Sequence, residues 1–513
     1  MKKILPLLFL SVSINLLAQN PADVLNYSFY PQNGTARNLA IGGVMGSLGG
    51  DITAAYVNPA GLGFYRTGEF VFTPGFYFNN NKGLYRESAT KEKKNAFGLG
   101  PVGLVIGSGI RNTPKGAQAV SIAFMQTANY NNFTHYKGLN NYSSFTEMWA
   151  EEVAKSGKTI DDIITDPQYS LSSALGLYTY LVDTFRINNA LQVKGRPEFL
   201  LDEGKAIMQE NSLETKGGLY ELALSYGYTG NEKFYFGGTL GIPIVSYNRT
   251  TKYNEKDTSA DNNNGFGYFN YQEDLKTSGI GFNGKLGFIY RPQEYIRLGI
   301  AIHTPSIYFL TDKRSASLEA ETENYNQLAK VTSSELTGGL DAKTKYQLLS
   351  PWKLLISGSY VFREVENVKK QRGFISADIE YIHHKGSSFY SNAEQPTDDD
   401  KAYYKALTKI VRNDYKGAFN FRLGGELKFN IISARLGFAY YSNPYKDKAL
   451  KANRMLLSGG LGYRNKGMFI DLTYVNNISK DINFPYVLED RANTFASLKQ
   501  QRGNVVATIG FKF

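Results

Sequence analysis

The sequence predicts an all-β protein: a 14-stranded antiparallel transmembrane β-barrel with an amino-terminal hatch, or plug, and a helical extracellular loop insertion. Three observations carry this reading. Segments of about ten residues alternate apolar and polar side chains again and again between Glu69 and Phe513. Aromatics make up 14% of the chain, with 37 Tyr and 32 Phe against 2 Trp, a supply of the kind that girdles at two bilayer interfaces consume. A glycine-dense block, Gly34 to Gly63, precedes the first strand. The expected domains are a signal peptide at 1–18, a hatch at 19–66 and the barrel at 67–513, with a long extracellular insertion at 131–215.

Lys2 and Lys3 give the signal peptide its positive start, the run from Ile4 to Leu17 is apolar, and Ala18 is a small residue before a cut at Gln19. The mature chain is therefore expected outside the cytoplasm. The run is too short to cross a bilayer, and no later stretch reaches the roughly 20 consecutive apolar residues of a membrane helix. The chain has no cysteine, which excludes a lipoprotein anchor, a disulfide framework and thiolate chemistry. Its net charge of +11 suits anionic lipid headgroups or a carboxylate ligand, and equally a set of basic, solvated loops.

The hatch block holds Gly34-Thr35-Ala36-Arg37, Gly42-Gly43, Leu48-Gly49-Gly50-Asp51 and the turn Asn58-Pro59-Ala60-Gly61-Leu62. Glycine permits tight backbone geometry and Asn-Pro initiates turns, so the block reads as compact and irregular. These motifs resemble the amino-terminal hatch of the FadL-type outer-membrane transporters, which carry long-chain fatty acids and other hydrophobic compounds. The Asn-Pro-Ala turn is the specific part of that resemblance, which marks Asp51, Asn58, Pro59, Ala60 and Gly61 as the hatch motif. Two roles stay open for it: fixing the fold of the plug, or permitting rearrangement when ligand binds.

Strands are expected near 69–78, 95–107, 117–130, 217–229, 233–247, 275–290, 294–310, 341–364, 372–385, 416–429, 432–443, 453–464, 467–478 and 503–513. The count is even, as a barrel with both ends in the periplasm requires, provided 341–364 is one strand interrupted at Pro351. The resemblance implies the same fourteen. Phe419, Phe421, Leu423, Leu427 and Phe429 fall on one face of their strand, with Asn420, Arg422, Glu426 and Lys428 on the other. The last strand puts Val505, Ala507, Ile509, Phe511 and Phe513 outward, and its aromatic end resembles the signal read by the outer-membrane assembly machinery.

In the strand at 95–107 the outward set begins as Phe97 and Leu99 and resumes as Val102, Leu104 and Ile106, so parity slips at Gly100-Pro101. A bulge explains the slip, because proline lacks the donor a ladder needs. Such a bulge either tightens the barrel's curvature or opens the wall; a kinked wall strand with a lateral gap is what the resemblance implies. Within the insertion, Phe145, Met148, Trp149 and Val153 share one helical face, and Leu171, Ala174, Leu175, Tyr178, Leu181, Val182 and Phe185 make a second. A third short helix is expected over Glu198 to Gln209. Phe145, Met148, Trp149, Leu175 and Tyr178 are candidates for a ligand groove; the alternative is that the stripes pack on one another as a lid.

Inward parity marks Glu221, Lys285, Arg297, Asp378, Glu380, Arg422, Glu426, Lys428, Arg435 and Asp471 as lumen-facing, with Arg297, Arg422 and Arg435 the candidates for a substrate carboxylate. The mixed signs point to pairing across the wall or with the hatch, where Arg37 and Asp51 can join. None of the four histidines sits in a metal-binding motif, and no nucleophile elbow occurs. Gly98-Leu99-Gly100-Pro101-Val102-Gly103 matches a dinucleotide fingerprint only by accident, inside a strand. No cofactor, metal, nucleic-acid partner or enzymatic activity is expected. The expected protein is a monomeric barrel in a Gram-negative outer membrane, in contact with its lipids and lipopolysaccharide. It would take up long-chain fatty acids or other hydrophobic small molecules passively. The alternative is a scaffold or docking barrel for surface export or lipopolysaccharide modification.

Overall fold

The computed structural model describes residues 21–111, 113–340, 342–362, 372–448 and 450–513; the expected signal peptide at 1–18 lies outside them. Fourteen antiparallel strands close into one barrel. They are β1 (Glu69–Phe72 and Pro74–Tyr85), β2 (Ser88–Leu99 and Val102–Ile110), β3 (Thr113–Asn129 and Asn132–Asn140), β4 (Ile207–Thr229) and β5 (Phe234–Asp257). Next come β6 (Tyr268–Gln293), β7 (Ile296–His303 and Ile307–Glu321), β8 (Ala342–Leu349 and Lys353–Phe362), β9 (Gly373–His383 and Ser388–Ser391) and β10 (Gly417–Phe429). The set ends with β11 (Ile432–Tyr441), β12 (Arg454–Asn465), β13 (Met468–Asn483) and β14 (Ala496–Lys512). The barrel closes where β14 pairs with β1, from Glu69 opposite Lys512 to Leu84 opposite Ser497.

Period-two alternation sets which side chains meet lipid. On β10, Phe419, Phe421, Leu423, Leu427 and Phe429 are exposed, while Asn420, Arg422 and Glu426 are buried in the lumen. This is the inverse of a soluble sheet, and it recurs on β6, β7 and β13 through Leu286, Ile300 and Leu472. The strand expected at 341–364 is β8, interrupted around Pro351, where Ser350 donates its N–H to the Ser306 carbonyl at 2.9 Å. Strands β4, β5 and β6 have 23, 24 and 26 residues, far beyond the roughly 9–11 needed to cross, so they stand above the membrane and carry the insertion.

The insertion is narrower than 131–215. Asn132–Asn140 and residues 207–215 continue the β3–β4 ladder, leaving 141–206 outside it. Its helices are α1 (Thr146–Ser156), α2 (Ile160–Thr165), α3 (Ser173–Tyr178) and α4 (Arg196–Asp202). The second apolar helix does not run on to Phe185: Val182–Ile187 and Ala190–Gly195 form a hairpin instead. Asn188 and Asn189 turn it with φ of 49° and 63°, the left-handed pair that a two-residue hairpin needs. The third helix is earlier and shorter than Glu198 to Gln209, because Gly204 at φ 76° ends it and β4 has begun by Ile207.

Inside the barrel, residues 21–66 make short helical turns joined by irregular chain. Inward glycines on neighbouring strands admit this segment. A Cβ on Gly237 would strike the Pro59 carbonyl, one on Gly287 the Asn58 side chain, one on Gly299 the Gly46 carbonyl, and one on Gly424 the Ile41 carbonyl. Ile41, Val44, Met45, Leu48, Ile52 and Leu62 fill the core between that segment and the wall.

Candidate functional site: a lumen chamber behind a break in the wall

The expected hatch motif is the most tightly bound part of the amino-terminal segment. Asn58 is fully buried, and its side-chain amide donates to the carbonyls of Gly46 at 2.6 Å and of Phe288 and Ile300 at 3.3 Å. Its Oδ1 accepts the Ala60 N–H at 3.1 Å, capping the short helix Pro59–Phe64, and Gly61 N–H closes the turn on the Asn58 carbonyl at 3.0 Å. Asp51 accepts from the Thr35 hydroxyl at 2.7 Å and the Thr53 N–H at 2.9 Å. Arg37 bonds not to Asp51 but to Glu426, at 3.2 Å, with a weaker bond to the Gly50 carbonyl.

The lumen charges pair as their mixed signs suggested. Lys285 meets Glu221; Arg422 sits 3.2 Å from Glu380 and 3.8 Å from Asp378; Arg435 meets Glu426 at 2.6 Å and Asp471 at 2.5 Å. Asp378 also accepts the N–H groups of Met45 and Gly46 at 3.1 and 3.3 Å, tying that network to the amino-terminal segment. Arg297 stacks over the Phe64 ring at 4.8 Å. Arg422 and Arg435 are thus engaged by buried carboxylates, and all three candidate arginines hold the segment in place rather than face an open chamber.

Gly100 and Pro101 mark a break in the wall. Ladder pairing between β2 and β3 runs from Ile110 opposite Thr113 up to Val102 opposite Phe124 and stops there. Above it, Ser88–Leu99 pairs only with β1, and the continuation of β3 pairs only with β4, among the described residues. Side chains bridge the interval. Asn129 donates to the Phe97 carbonyl at 2.8 Å, Leu99 N–H donates to the Gln126 side chain at 3.3 Å, and Lys94 reaches Glu214 at 2.8 Å. From inside, Asn33 donates to the carbonyls of both Leu99 and Gln126. Phe97, 72% exposed, marks the outer face at this level.

Behind the break lies a cavity of about 320 Å³. Phe29, Leu39, Leu456, Val475 and Leu498 supply its apolar lining, and Arg454 and Arg502 its cations. Arg454 stacks over the Phe29 ring at 4.4 Å, and among the described residues no carboxylate comes within 4.0 Å of it, although Asp481 lines the same cavity. Among the described residues Arg502 bonds to neutral oxygens only: Asn79 Oδ1 at 2.6 Å and the carbonyls of Asn129 and Asn131 at 3.1 and 2.9 Å. Neither arginine is among the candidate residues read from the sequence. Their signal was inward parity, Arg454 with Leu456 and Ser458, Arg502 with Asn504.

The five candidate groove residues come together but line no open groove. Phe145, Trp149 and Leu175 are buried and Met148 half-buried in a core with Tyr253, Phe269 and Tyr271 of the raised strands; Tyr178 alone is half exposed. Phe145 stacks on Tyr253 at 4.7 Å and meets Trp149 edge-on at 4.9 Å. The apolar stripes pack on one another and on the barrel rim because that removes both faces from water.

Two solved structures share this architecture. The toluene transporter TodX of P. putida is 13% identical, with a TM-score of 0.53 over 94% of this chain and 99% of its own. A Pseudomonas aeruginosa FadL homologue is 15% identical, also at 0.53, over 93% and 98%. The chain has the FadL-type fold. No protein-family model matches its sequence, and no curated protein matches it. With the FadL-type fold and a belt of outward apolar side chains, it is a multi-pass barrel of the Gram-negative outer membrane.

Proposed function

We propose that this protein is a passive outer-membrane channel for hydrophobic compounds, long-chain fatty acids among them. A molecule captured on the extracellular side enters the chamber above the hatch and leaves sideways through the interval between β2 and β3. The observation that carries this reading is the position of the chamber: a cavity of mixed polar and apolar lining, with two arginines, lies directly behind wall that has no ladder. The two similar structures, a toluene transporter and a FadL homologue, support it.

The physical case is simple. An acyl chain prefers bilayer to water by about 0.8 kcal/mol per CH₂, so the membrane core is no obstacle to it; the hydrated polysaccharide outside is. A protein that captures the molecule above that layer and releases it into lipid needs no energy source. Arg454 and Arg502 suit a carboxylate, the headgroup a fatty acid would bring into the chamber. Asn33 links the hatch to both sides of the break, so a ligand that displaces the hatch end would loosen the seam.

The test is uptake of labelled oleate and of a small sugar by cells that lack other fatty-acid channels and keep an intact lipopolysaccharide layer. Oleate uptake without sugar leakage is expected. Sugar flux through the intact protein would make it a porin, and uptake of neither would remove the transport reading.

A further inference from the structure

Four lysines stand side by side on the outside of the barrel. Lys480 on β13 lies opposite Lys499 on β14, Lys499 opposite Lys82 on β1, and Lys82 opposite Lys91 on β2, so one rung carries four cations across four strands. All four are exposed, on the outward parity of Phe78 and Phe97. Side chains directly opposed in an antiparallel sheet are roughly 5 Å apart, and like charges there repel. The rung below holds Ile478, Gln501, Asn80 and Lys93, and the rung above Ile482, Ser497, Leu84 and Ala89, with no acid in either. Among the described residues none of the four has an ion-pair partner.

The height of the rung says what would neutralise it. Lys82 is four residues above Phe78, the last outward aromatic of β1, which is roughly 10 Å along the barrel axis for a tilted strand. On the other flank Lys276, Lys313 and Lys343 lie opposite one another on β6, β7 and β8. There Lys276 and Lys313 likewise stand four residues above an outward apolar pair, Ile280 and Phe309. Lysine stems let the ammonium groups reach back toward the apolar belt. The anions at that boundary of a Gram-negative outer leaflet are the phosphates of its glycolipid.

We propose that the rung Lys480, Lys499, Lys82 and Lys91 is a binding site for the phosphorylated headgroup of outer-leaflet lipopolysaccharide, and that Lys276, Lys313 and Lys343 form a second. The proposal rests on the outer-membrane placement and not on what the chamber carries. Because the first rung ends on β2, a glycolipid held there flanks the break in the wall.

Native mass spectrometry of the purified protein with bisphosphorylated, monophosphorylated and dephosphorylated lipid A tests it, with inorganic phosphate as competitor. Binding is expected to fall in that order, and free phosphate at millimolar concentration is expected to leave it intact. The wild type is expected to hold two bisphosphorylated molecules and the variant K82Q/K91Q/K480Q/K499Q one, with the affinity of the lost site down about tenfold; adding K276Q/K313Q/K343Q is expected to weaken the second site likewise. A count-matched variant of exposed lysines elsewhere, K385Q/K401Q/K405Q/K409Q, is expected to bind as the wild type does. Thermal unfolding in lipid-free detergent guards against a folding artefact: with the repulsion gone, the rung variant should unfold no earlier than wild type, and bisphosphorylated lipid A should raise the midpoint of the wild type more. Equal binding of the three lipids, displacement by free phosphate, or two lipids still bound by the rung variant at wild-type affinity would overturn the assignment.

Discussion

Leu99 and Gln126 face each other across the break between β2 and β3, and one amide clasps them together: Asn33 donates to the Leu99 carbonyl at 3.2 Å and to the Gln126 carbonyl at 2.6 Å. The clasp comes from the amino-terminal segment, not from the wall. A seam without ladder bonds is therefore held shut partly by the element expected to move when ligand arrives.

Asn33→Ala is expected to raise the rate of oleate uptake several-fold while the sugar stays excluded. Amide hydrogen exchange at 97–100 and 126–130 should quicken in the same variant, with protection elsewhere in β2 and β3 unchanged. Unaltered exchange there would show that the clasp carries no restraint.

Asn58 donates to the Gly46 carbonyl within the amino-terminal segment and ties that segment to β6 and β7 through the carbonyls of Phe288 and Ile300. Asn58→Ala leaves buried acceptors unpaired at a cost of about 1–3 kcal/mol. The expected result is a lowered unfolding midpoint and new single-channel conductance in planar bilayers. Gly237→Val should give conductance for a different reason, since its side chain would occupy the place of the Pro59 carbonyl.

Arg454→Ala with Arg502→Ala is expected to reduce uptake of oleate by about tenfold, the loss of one charge-assisted contact, and to leave uptake of neutral toluene within a factor of two. Equal loss for both compounds would mean that the arginines shape the chamber rather than read a carboxylate. Arg422→Ala should instead destabilise the fold, because Glu380 and Asp378 lose their buried counter-charge.

Burial, with a smaller contribution from nearby Glu147, pushes the Glu198 carboxyl on α4 up to about 8 from an ordinary 4.5. A folded value above the unfolded one means that the folded insertion binds the proton more tightly. Its stabilisation is complete below about 4.5 and is lost as pH rises toward 8. Protection factors across 141–206, corrected for the base-catalysed intrinsic exchange rate, are expected to be higher at pH 5 than at pH 8, and Glu198→Gln should flatten that difference.

Much of this was legible in the sequence because a barrel strand needs only two-residue parity. The fourteen strands, the outward aromatics and the buried charges from Glu221 to Asp471 all follow from it. Features that depend on which strands fail to pair were not legible: parity exposed the slip at Pro101, but nothing local says that Ser88–Leu99 stays unpaired on its β3 side. The helix Asp398–Asp414 went unrecognised although Thr397 and Asp400 form a capping box and Tyr403, Leu407 and Val411 repeat at helical spacing. In the insertion, apolar stripes suggested a groove, but stripes alone cannot say whether their partner is a ligand or one another; Phe145 against Tyr253 answers for the second. Arg454 and Arg502 became candidates only once the cavity beside them was visible.

The most direct measurement locks the seam. The chain has no cysteine, so Leu99→Cys with Gln126→Cys places its only two thiols on opposite sides of the break. Joined by a short bis-thiol cross-linker with a reducible centre, the pair is expected to stop oleate uptake, and reduction to restore it, with each single-cysteine variant unaffected. Full uptake by the cross-linked protein would contradict lateral release and require the ligand to pass through the hatch instead.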